Sequence, residues 1–391
     1  MSPTPGGKEV LKLPKHIPHY ELLRIKRLPD ALSDPAGRTW VYETVLSGYT
    51  LWKSRSALYG GVSLGLGVQA AFDSIFDELG PQKAAEFRAY SYQGTFAGPA
   101  SAQYAIRIEV SSVRSTRSFV TRLVTLSQQD PTQPGARRKT LVAICDFARR
   151  GRAALVEFDA PALNPLTAQA WERPETLETH AELTAQRLAR ARESGDEEAL
   201  RVAQAEERFR DGWDRFLRFR MPRDSLTYQT AWTHKSDPPQ TTQDPLAVTD
   251  RVMVDYFRVV PDLSPAHLAR ISAERPDCVP FRAGMSTTTT FFAFVLDQGV
   301  PIIPIIATKT PRHAAAPDVS LDFSIRFHRE DGIDLNKWSL RQFKCLTAAA
   351  GRSFNQVTVW DEAGRIMGTI SQQGHVAPAQ PQRGSKLTVK L

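Results

Sequence analysis

Leu58-Tyr59-Gly60-Gly61-Val62-Ser63-Leu64-Gly65-Leu66-Gly67-Val68-Gln69-Ala70-Ala71-Phe72-Asp73-Ser74-Ile75-Phe76-Asp77-Glu78-Leu79 is the stretch whose reading decides the fold. Small and apolar residues occupy most faces over 62–79, which predicts a helix buried nearly all round rather than one lying on a surface. Gly60 and Gly61 at its mouth let another backbone come close, and the free N–H groups and dipole of a helix start favour a negative or carbonyl oxygen. A Gly-Gly pair fits a tight turn equally well. Outward from this helix, a strand is expected at 40–46 and four more at 86–96, 104–113, 118–126 and 140–147, the second alternating at period two as Tyr104-Ala105-Ile106-Arg107-Ile108-Glu109-Val110. Gly98-Pro99 and the polar segments 114–117 and 128–138 are the breaks. A strand, a buried helix and an antiparallel run of strands make an α+β arrangement with the sheet wrapped around the helix.

The plan recurs further on. A strand at 252–259, a helix at 285–296 and strands at 319–327, 338–346, 356–360 and 366–372 repeat the same order. Arg117-Ser118-Phe119 and Arg352-Ser353-Phe354 mark the start of the penultimate strand in each copy. Between the copies, 175–220 turns to Glu, Arg and Ala, with Val202, Ala205, Phe209, Trp213 and Phe216 on one helical face. That face reads as a linker helix packed on the lobes, and less readily as one that binds a partner. The Pro238-Pro239 pair marks a boundary. The expected domains are an N-terminal extension (1–35), a first α+β half (36–160), a helical linker (161–245), a second α+β half (246–377) and a flexible tail (378–391).

With 391 residues and 41% hydrophobic content, the chain can bury a core in each half. Its apolar runs, 291–296 and 300–306, are far shorter than the roughly 20 residues of a membrane span, so none is expected. The Pro- and Gly-containing start does not resemble a secretory signal. The bases behind a net charge of +8 are scattered among 42 acidic residues without aromatic interleaving, so nucleic acid is not an expected partner. Cys145, Cys278 and Cys345 lie far apart, which fits neither a disulfide framework nor a zinc site. The expected location is cytoplasmic. Val389-Lys390-Leu391 is a weak relative of the peroxisomal Ser-Lys-Leu address, whose true form, at Ser385-Lys386-Leu387, is internal.

Several motifs carry a resemblance. In the first half they are Leu58-Tyr59-Gly60-Gly61, Phe87-Arg88-Ala89-Tyr90 with Gly98-Pro99, and Arg117-Ser118-Phe119. In the second they are Leu296-Asp297, Ser320-Leu321-Asp322-Phe323-Ser324-Ile325-Arg326-Phe327-His328-Arg329, Asn336-Lys337-Trp338 and Ser371-Gln372-Gln373-Gly374. Over 42–150 and 252–376 the chain resembles the type II acyl-CoA thioesterases. The resemblance implies a double hotdog fold, two helix-wrapped antiparallel sheets fused in one chain, with 161–245 as a helical insertion. It implies hydrolysis of an acyl-CoA or related acyl thioester, with no cofactor and no metal. The family holds its attacking water with an Asp at the end of the second helix, a Thr or Ser on the next strand and a Gln on the last strand, which fall on Asp297, Ser320 and Gln372. Backbone N–H groups near Gly60-Gly61 or Gly284 would face the oxyanion, and His328 would lie at the ligand mouth or between the halves. The fused halves form an internal pseudo-dimer, and further homo-oligomerisation is compatible with it.

The chemistry of the trio is intelligible without the family. A carboxylate can take a proton from water while a hydroxyl and an amide fix the water's other hydrogen bonds, leaving one lone pair aimed at a thioester carbonyl. Alternatives stay open on residues alone: Asp297 followed by Gln298-Gly299 reads as an ordinary helix stop, Ser320 as a strand-end residue and Gln372 as a solvated edge. Asp322 and His328 could form another acid/base pair, but six strand residues hold them about 20 Å apart. Val62, Phe323 and Arg326 stand where the family commonly has Gln, His and an aromatic, which points to a specialised, carrier-bound or biosynthetic, acyl group. A non-catalytic acyl-thioester binder and a dehydratase-like lyase are the competing readings.

Overall fold

Each expected strand of the first half forms, lengthened or shifted at its ends, in the computed structural model of the chain, which describes residues 22–29, 38–46, 57–133, 135–151, 153–214, 216–230, 240–274, 284–315, 319–331 and 333–379. Strands β1 (Ile25–Arg27) and β2 (Thr39–Thr44) precede helix α1 (Gly60–Leu79). Strands β3 (Phe87–Phe96), β4 (Arg107–Ser115), β5 (Phe119–Gln129) and β6 (Arg137–Arg149) follow. The insertion holds α2 (His180–Ser194), α3 (Glu197–Trp213) and a short strand β7 (Leu217–Arg220). The second half runs β8 (Val252–Val259), α4 (Gly284–Leu296), β9 (Val319–Ser320), β10 (Asp322–Phe327), β11 (Ser339–Ala349), β12 (Arg352–Trp360) and β13 (Ile366–His375). Cys278, the Pro238-Pro239 boundary and Val389-Lys390-Leu391 lie outside the described residues.

All strands join one antiparallel sheet ordered β1-β2-β4-β5-β6-β3-β10-β13-β12-β11-β8-β7, with β9 added on β13. The order is a palindrome of the two halves about the β3–β10 pair, where Ser324 faces Gln93 and Arg326 faces Ser91. This is the double hotdog, an α+β architecture in which a single core contains α1, α4 and the inward side chains of both half-sheets. The strand expected over 319–327 breaks at Leu321, because Ser320 pairs with Gly374 while Ser324 pairs with Ser371, one residue out of register. Such a bulge re-aims the side chains on either side of it.

Helix α1 is buried continuously from Gly61 to Phe76, as its composition predicts. Its glycines explain why it can pack so closely on α4. A Cβ at Gly61 would lie 2.3 Å from the Phe294 carbonyl oxygen, and one at Gly65 would lie 3.3 Å from that of Thr290. The two backbones therefore cross almost in contact, and the Tyr59 hydroxyl closes the junction by donating to the Phe294 carbonyl at 2.8 Å.

The insertion is tied to this junction. Trp213, buried at the end of α3, packs edge-on against Tyr59 at 5.2 Å between ring centroids. The buried face of α3 is Val202, Ala203, Glu206 and Trp213 rather than the expected Val202, Ala205, Phe209 and Trp213, and Phe216 lies beyond the helix end. The difference is electrostatic: Glu206 is drawn inward by a two-pronged ion pair with Arg187 of α2, at 2.8 and 2.9 Å. Strand β7, absent from the sequence expectation, pairs with β8 and so extends the second half-sheet.

The stretch Thr287–Ala307 is long and apolar enough to cross a membrane, with mean hydropathy 1.7, which the shorter runs counted in the sequence did not reveal. It is 83% buried, and its helix stops at Leu296 before the polar Asp297-Gln298. Its apolarity is that of a core element. The helix crossing makes a direct prediction: Gly61→Ala forces two backbones apart, should cost about 2 kcal/mol or more, and should lower the melting temperature by at least ~3 °C in a thermal unfolding scan.

Candidate functional site

Asp297 stands where α4 ends and the chain turns away through Gly299, whose φ of +78° suits a residue without a Cβ. The close helix crossing carries its carboxylate onto the start of α1. That helix has no side-chain cap of its own, since its N-cap position is Tyr59. The Gly61 N–H donates to Asp297 instead, so the carboxylate caps the opposite half's helix. Gly60 is required beside it, because a Cβ there would lie 2.6 Å from Asp297 Oδ2.

From the sheet side, Gln372 of β13 reaches in. It has no exposed surface, and its Nε2 donates to Asp297 Oδ1 at 2.9 Å. The inward positions of β13 are Gly368, Ile370, Gln372 and Gly374, so the amide sits in the helix-facing row and is not a solvated edge residue. Burial pushes the Asp297 carboxyl up to about 6, against the hydrogen bonds from Gln372 and Gly61 that favour its ionised form. The result is a nearly enclosed carboxylate that changes charge close to neutral pH.

Ser320 faces Gly374 across β9–β13, two residues along from Gln372. Directly opposed residues of an antiparallel pair point to the same face, so Ser320 belongs to the same helix-facing row. Its half-buried position places it at the rim of the cluster. Gly60 and Gly61 lie at the carboxylate, with one qualification to the expected oxyanion role: the Gly61 N–H is held by Asp297. Gly284 is the first residue of α4, while 275–283 and the surroundings of Gly284 lie outside the described residues.

His328 is not part of this cluster. It follows β10, eight residues beyond Ser320 and so roughly 26 Å away along an extended chain. There it lines a surface cleft of about 370 Å³ between the halves, with Arg88 and Tyr90 from β3 and Arg326 and Arg329 beside it. A second cleft of about 430 Å³ is lined by Arg117, Ser118, Arg149 and Arg150. Neither cleft contains Asp297, Ser320 or Gln372. The buried carboxylate with its amide and these arginine-lined surfaces are therefore separate places in the fold.

Two features were missed in the sequence. Arg341 of β11 is fully buried, grips both oxygens of Asp255 at 3.0 and 2.8 Å, and donates to Gln298 Oε1 and the Val295 carbonyl at 2.9 and 3.2 Å. It thereby fixes the end of α4 on both sides of Asp297, and being paired directly opposite Asp255 it keeps a charge neutralised inside the core. A charged residue at an inward position of a period-two strand, between Ser339 and Phe343, was the available signal. The other feature is Asn355, fully buried and directly opposite Gln372 on β12.

A two-half sheet wrapped on crossed helices, with a carboxylate and an amide meeting at a helix start, defines a hotdog protein with a candidate hydrolytic centre. Residues 50–148 match the family model described as the acyl-CoA thioesterase N-terminal domain, and 197–376 match that of the acyl-CoA thioesterase C-terminal domain. The chain belongs to the acyl-CoA thioesterase family of double hotdog proteins. The second match begins inside the segment read as a linker, in accord with the pairing of β7 and β8.

Among solved structures, the tesB protein of Mycobacterium avium subs. paratuberculosis aligns with a TM-score of 0.54 at 14% identity, over 92% of this chain and 98% of that one. The acyl-CoA thioesterase II TesB2 of Mycobacterium marinum gives 0.54 at 15%, over 92% and 97%. A hot dog fold protein of unknown function from Alicyclobacillus acidocaldarius gives 0.52 at 16%, over 92% and 98%. A comparison with curated protein sequences finds no match. At these identities the structural likeness speaks for the fold.

The charge state of Asp297 separates a structural from a chemical role. An unfolded Asp releases its proton near 3.9, whereas the folded carboxyl holds it to about 6. Its contribution to stability is therefore full below about 4 and is lost as the pH rises through about 6. Asp297→Asn removes that cost at neutral pH and, with the Gln372 amide turned over, can keep the side-chain hydrogen bond. Its melting temperature at pH 7.5 should fall within ~2 °C of wild type or above it, whereas a drop of more than that would mean the carboxylate is chiefly a cap.

Proposed function

We propose that the protein hydrolyses an acyl thioester of coenzyme A or of a carrier to the free acid and the thiol, using water activated by Asp297. The observation that carries the reading is the Gln372 Nε2–Asp297 Oδ1 contact of 2.9 Å on the start of α1, with the carboxyl at about 6. Such a base is ionised at neutral pH yet basic enough to take a proton in the transition state.

In this reading the water donates one hydrogen to Asp297 and the other to Gln372 Oε1, a buried atom without a partner among the described residues. It accepts from the Ser320 hydroxyl, and its remaining lone pair attacks the thioester carbonyl carbon. As the O–C bond forms, the proton passes to Asp297 and the carbonyl π electrons move to oxygen. The positive end of the α1 dipole opposes that developing charge. Collapse breaks the C–S bond, and the departing sulfur takes the proton from Asp297. Ser320 in place of Thr keeps the hydroxyl that this scheme needs. The lyase alternative would enlist His328, whose place at the far end of β10 gives it no support.

Thiol release from a panel of acyl-CoAs tests the proposal. Wild type should turn over, and Asp297→Asn should lose ~100-fold or more in kcat/KM while remaining folded. For wild type, kcat/KM should rise about tenfold per pH unit below 6 and level off above it, because only the ionised carboxylate is a base. Binding without thiol release by wild type would establish the non-catalytic reading in its place.

A further inference from the structure

The outer faces of the two half-sheets are finished differently. Outside the second half, Ala162 and the buried Trp171 lie on Val252, Val254, Leu340 and Trp360, in a small core separate from the one around the helices. Outside the first half the corresponding face stays open among the described residues. Leu123 of β5 and Ile144 of β6 are directly opposed at its centre and remain 36% and 37% exposed. Toward the end of the same face Tyr90 meets Phe119 edge-on at 6.4 Å, and the Tyr90 ring is also exposed.

The segment that leaves β6 is the counterpart of that open face. Leu155, Val156 and Phe158 are 97%, 71% and 89% exposed, three large apolar side chains within four residues. The chain is nevertheless tied down on both sides of them. The Gly151 N–H donates to Glu330 Oε2 at 2.9 Å, Asp159 pairs with Arg329, and Trp360 Nε1 donates to the Ala160 carbonyl at 2.8 Å. All three anchors belong to the second half, so they hold the segment toward that half and leave its apolar side chains in water. Contiguous exposed apolar side chains on an anchored segment mark a contact surface. The segment lies within 149–196, which neither family model matches, so it belongs to this chain rather than to the family's common plan.

We propose that the segment 155–158 of one copy packs on the open outer face of the first half of a second copy, and that the second copy returns the same contact. Segment and face adjoin at the end of β6, so a single two-fold axis makes both contacts at once. The charges agree with this pairing. Glu157, exposed between Val156 and Phe158, has no ionic partner among the described residues, and neither do Arg117 and Arg150, exposed at the end of the open face. Opposite charges of this kind set the register of a contact. Segment and face together offer on the order of 800 Å² per copy, the share of each partner in a stable interface of ordinary size. An anionic lipid surface fits less well, because Glu157 stands among the apolar side chains and Glu330 and Asp331 lie beside the segment's first anchor. The inference is independent of the thioester-hydrolase reading.

The test is the mass of the full chain in solution, measured by light scattering after gel filtration and by sedimentation over a range of concentrations. At ~10 μM wild type should have the mass of two chains. The pair of substitutions Leu155→Ser and Phe158→Ser should raise the Kd of dimerisation ~100-fold or more, and so should Ile144→Glu on the face, since each removes apolar anchors from the contact. Glu157→Arg should raise it ~10-fold. All the altered side chains are exposed, and the variants should keep the circular dichroism of wild type. Mixing the segment variant with the face variant supplies the decisive result: one intact segment then meets one intact face, so the mixture should dimerise more tightly than either variant alone. A wild type that stays monomeric at every concentration overturns the proposal, and so does a dimer that these substitutions leave unchanged or variants that fail to complement one another. A monomeric wild type that sediments with phosphatidylglycerol vesicles assigns the exposed side chains to a lipid surface and also overturns it.

Discussion

The close crossing of α1 and α4 is the constraint on which the other features depend. Gly61 against the Phe294 carbonyl and Gly65 against the Thr290 carbonyl leave no room for even a methyl group at the first position and little at the second. This approach sets Asp297, at the end of one helix, on the uncapped start of the other. A helix start with no side-chain cap is a poor terminus by itself. Here the missing cap is supplied from the other half of the chain, so the two halves complete one another at Asp297. Folding and site assembly are one event, because neither half alone contains both the donor and the carboxylate.

Around that crossing the structure invests in polar order. Arg341 holds the Asp255 carboxylate, the Gln298 side chain and the Val295 carbonyl at once, in a place where an aliphatic core would have been simpler. Its guanidinium also lies 4.7 Å from the Phe343 ring centroid and 5.2 Å from that of Phe257, contacts in which a planar cation is at ease. Buried ion pairs are weak contributors to net stability but strong in selecting one arrangement over its neighbours. What they select here is the direction of Asp297. Trp213 adds a constraint from the insertion, bracing Tyr59 one residue before the glycines. Helix α3 thus bears on the junction through the Trp213 ring, which also meets Phe294 of α4 edge-on at 6.1 Å, although it supplies none of the three residues proposed to hold the water.

The elements that were legible from sequence are those with local periodicity. The helix at 60–79 declared itself by small residues on most faces, and the period-two strands appeared within a few residues of their observed ends. Asp297 and Gln372 were legible only through motif resemblance, since an Asp before Gln-Gly is by itself a common helix stop. What escaped depends on register between distant strands. The β3–β10 seam that turns two halves into one sheet, the Gly61 N–H turned toward Asp297, and the opposition of Asn355 and Gln372 are relations between residues far apart in sequence. His328, expected at the ligand mouth or between the halves, lines a cleft formed by residues of both halves. Glu206 was left off the buried face of α3 because its charge disqualified it until Arg187 was known to be beside it.

The palindrome also gives Asp297 a counterpart in the first half. Asp73 follows Gly60 by the interval that separates Asp297 from Gly284, so the first half keeps a carboxylate at the equivalent helical position. Aligning Arg117-Ser118-Phe119 with Arg352-Ser353-Phe354 brings Phe147 of β6 to the place of Gln372, since Val120 pairs with Phe147 as Asn355 pairs with Gln372. An aromatic ring packed edge-on against Phe72 replaces the amide. Asp73 receives its amide from its own helix, Gln69 Nε2 at 3.1 Å, and the Gln69 carbonyl accepts from Thr290 of the opposite helix at 3.3 Å. The same carboxylate position therefore serves two ends. In the first half its polar neighbours knit the two helices together, and in the second the carboxylate meets a strand amide, Gln372, instead. The residue on the last strand of each half, Phe147 or Gln372, is what distinguishes the two equivalent carboxylate positions.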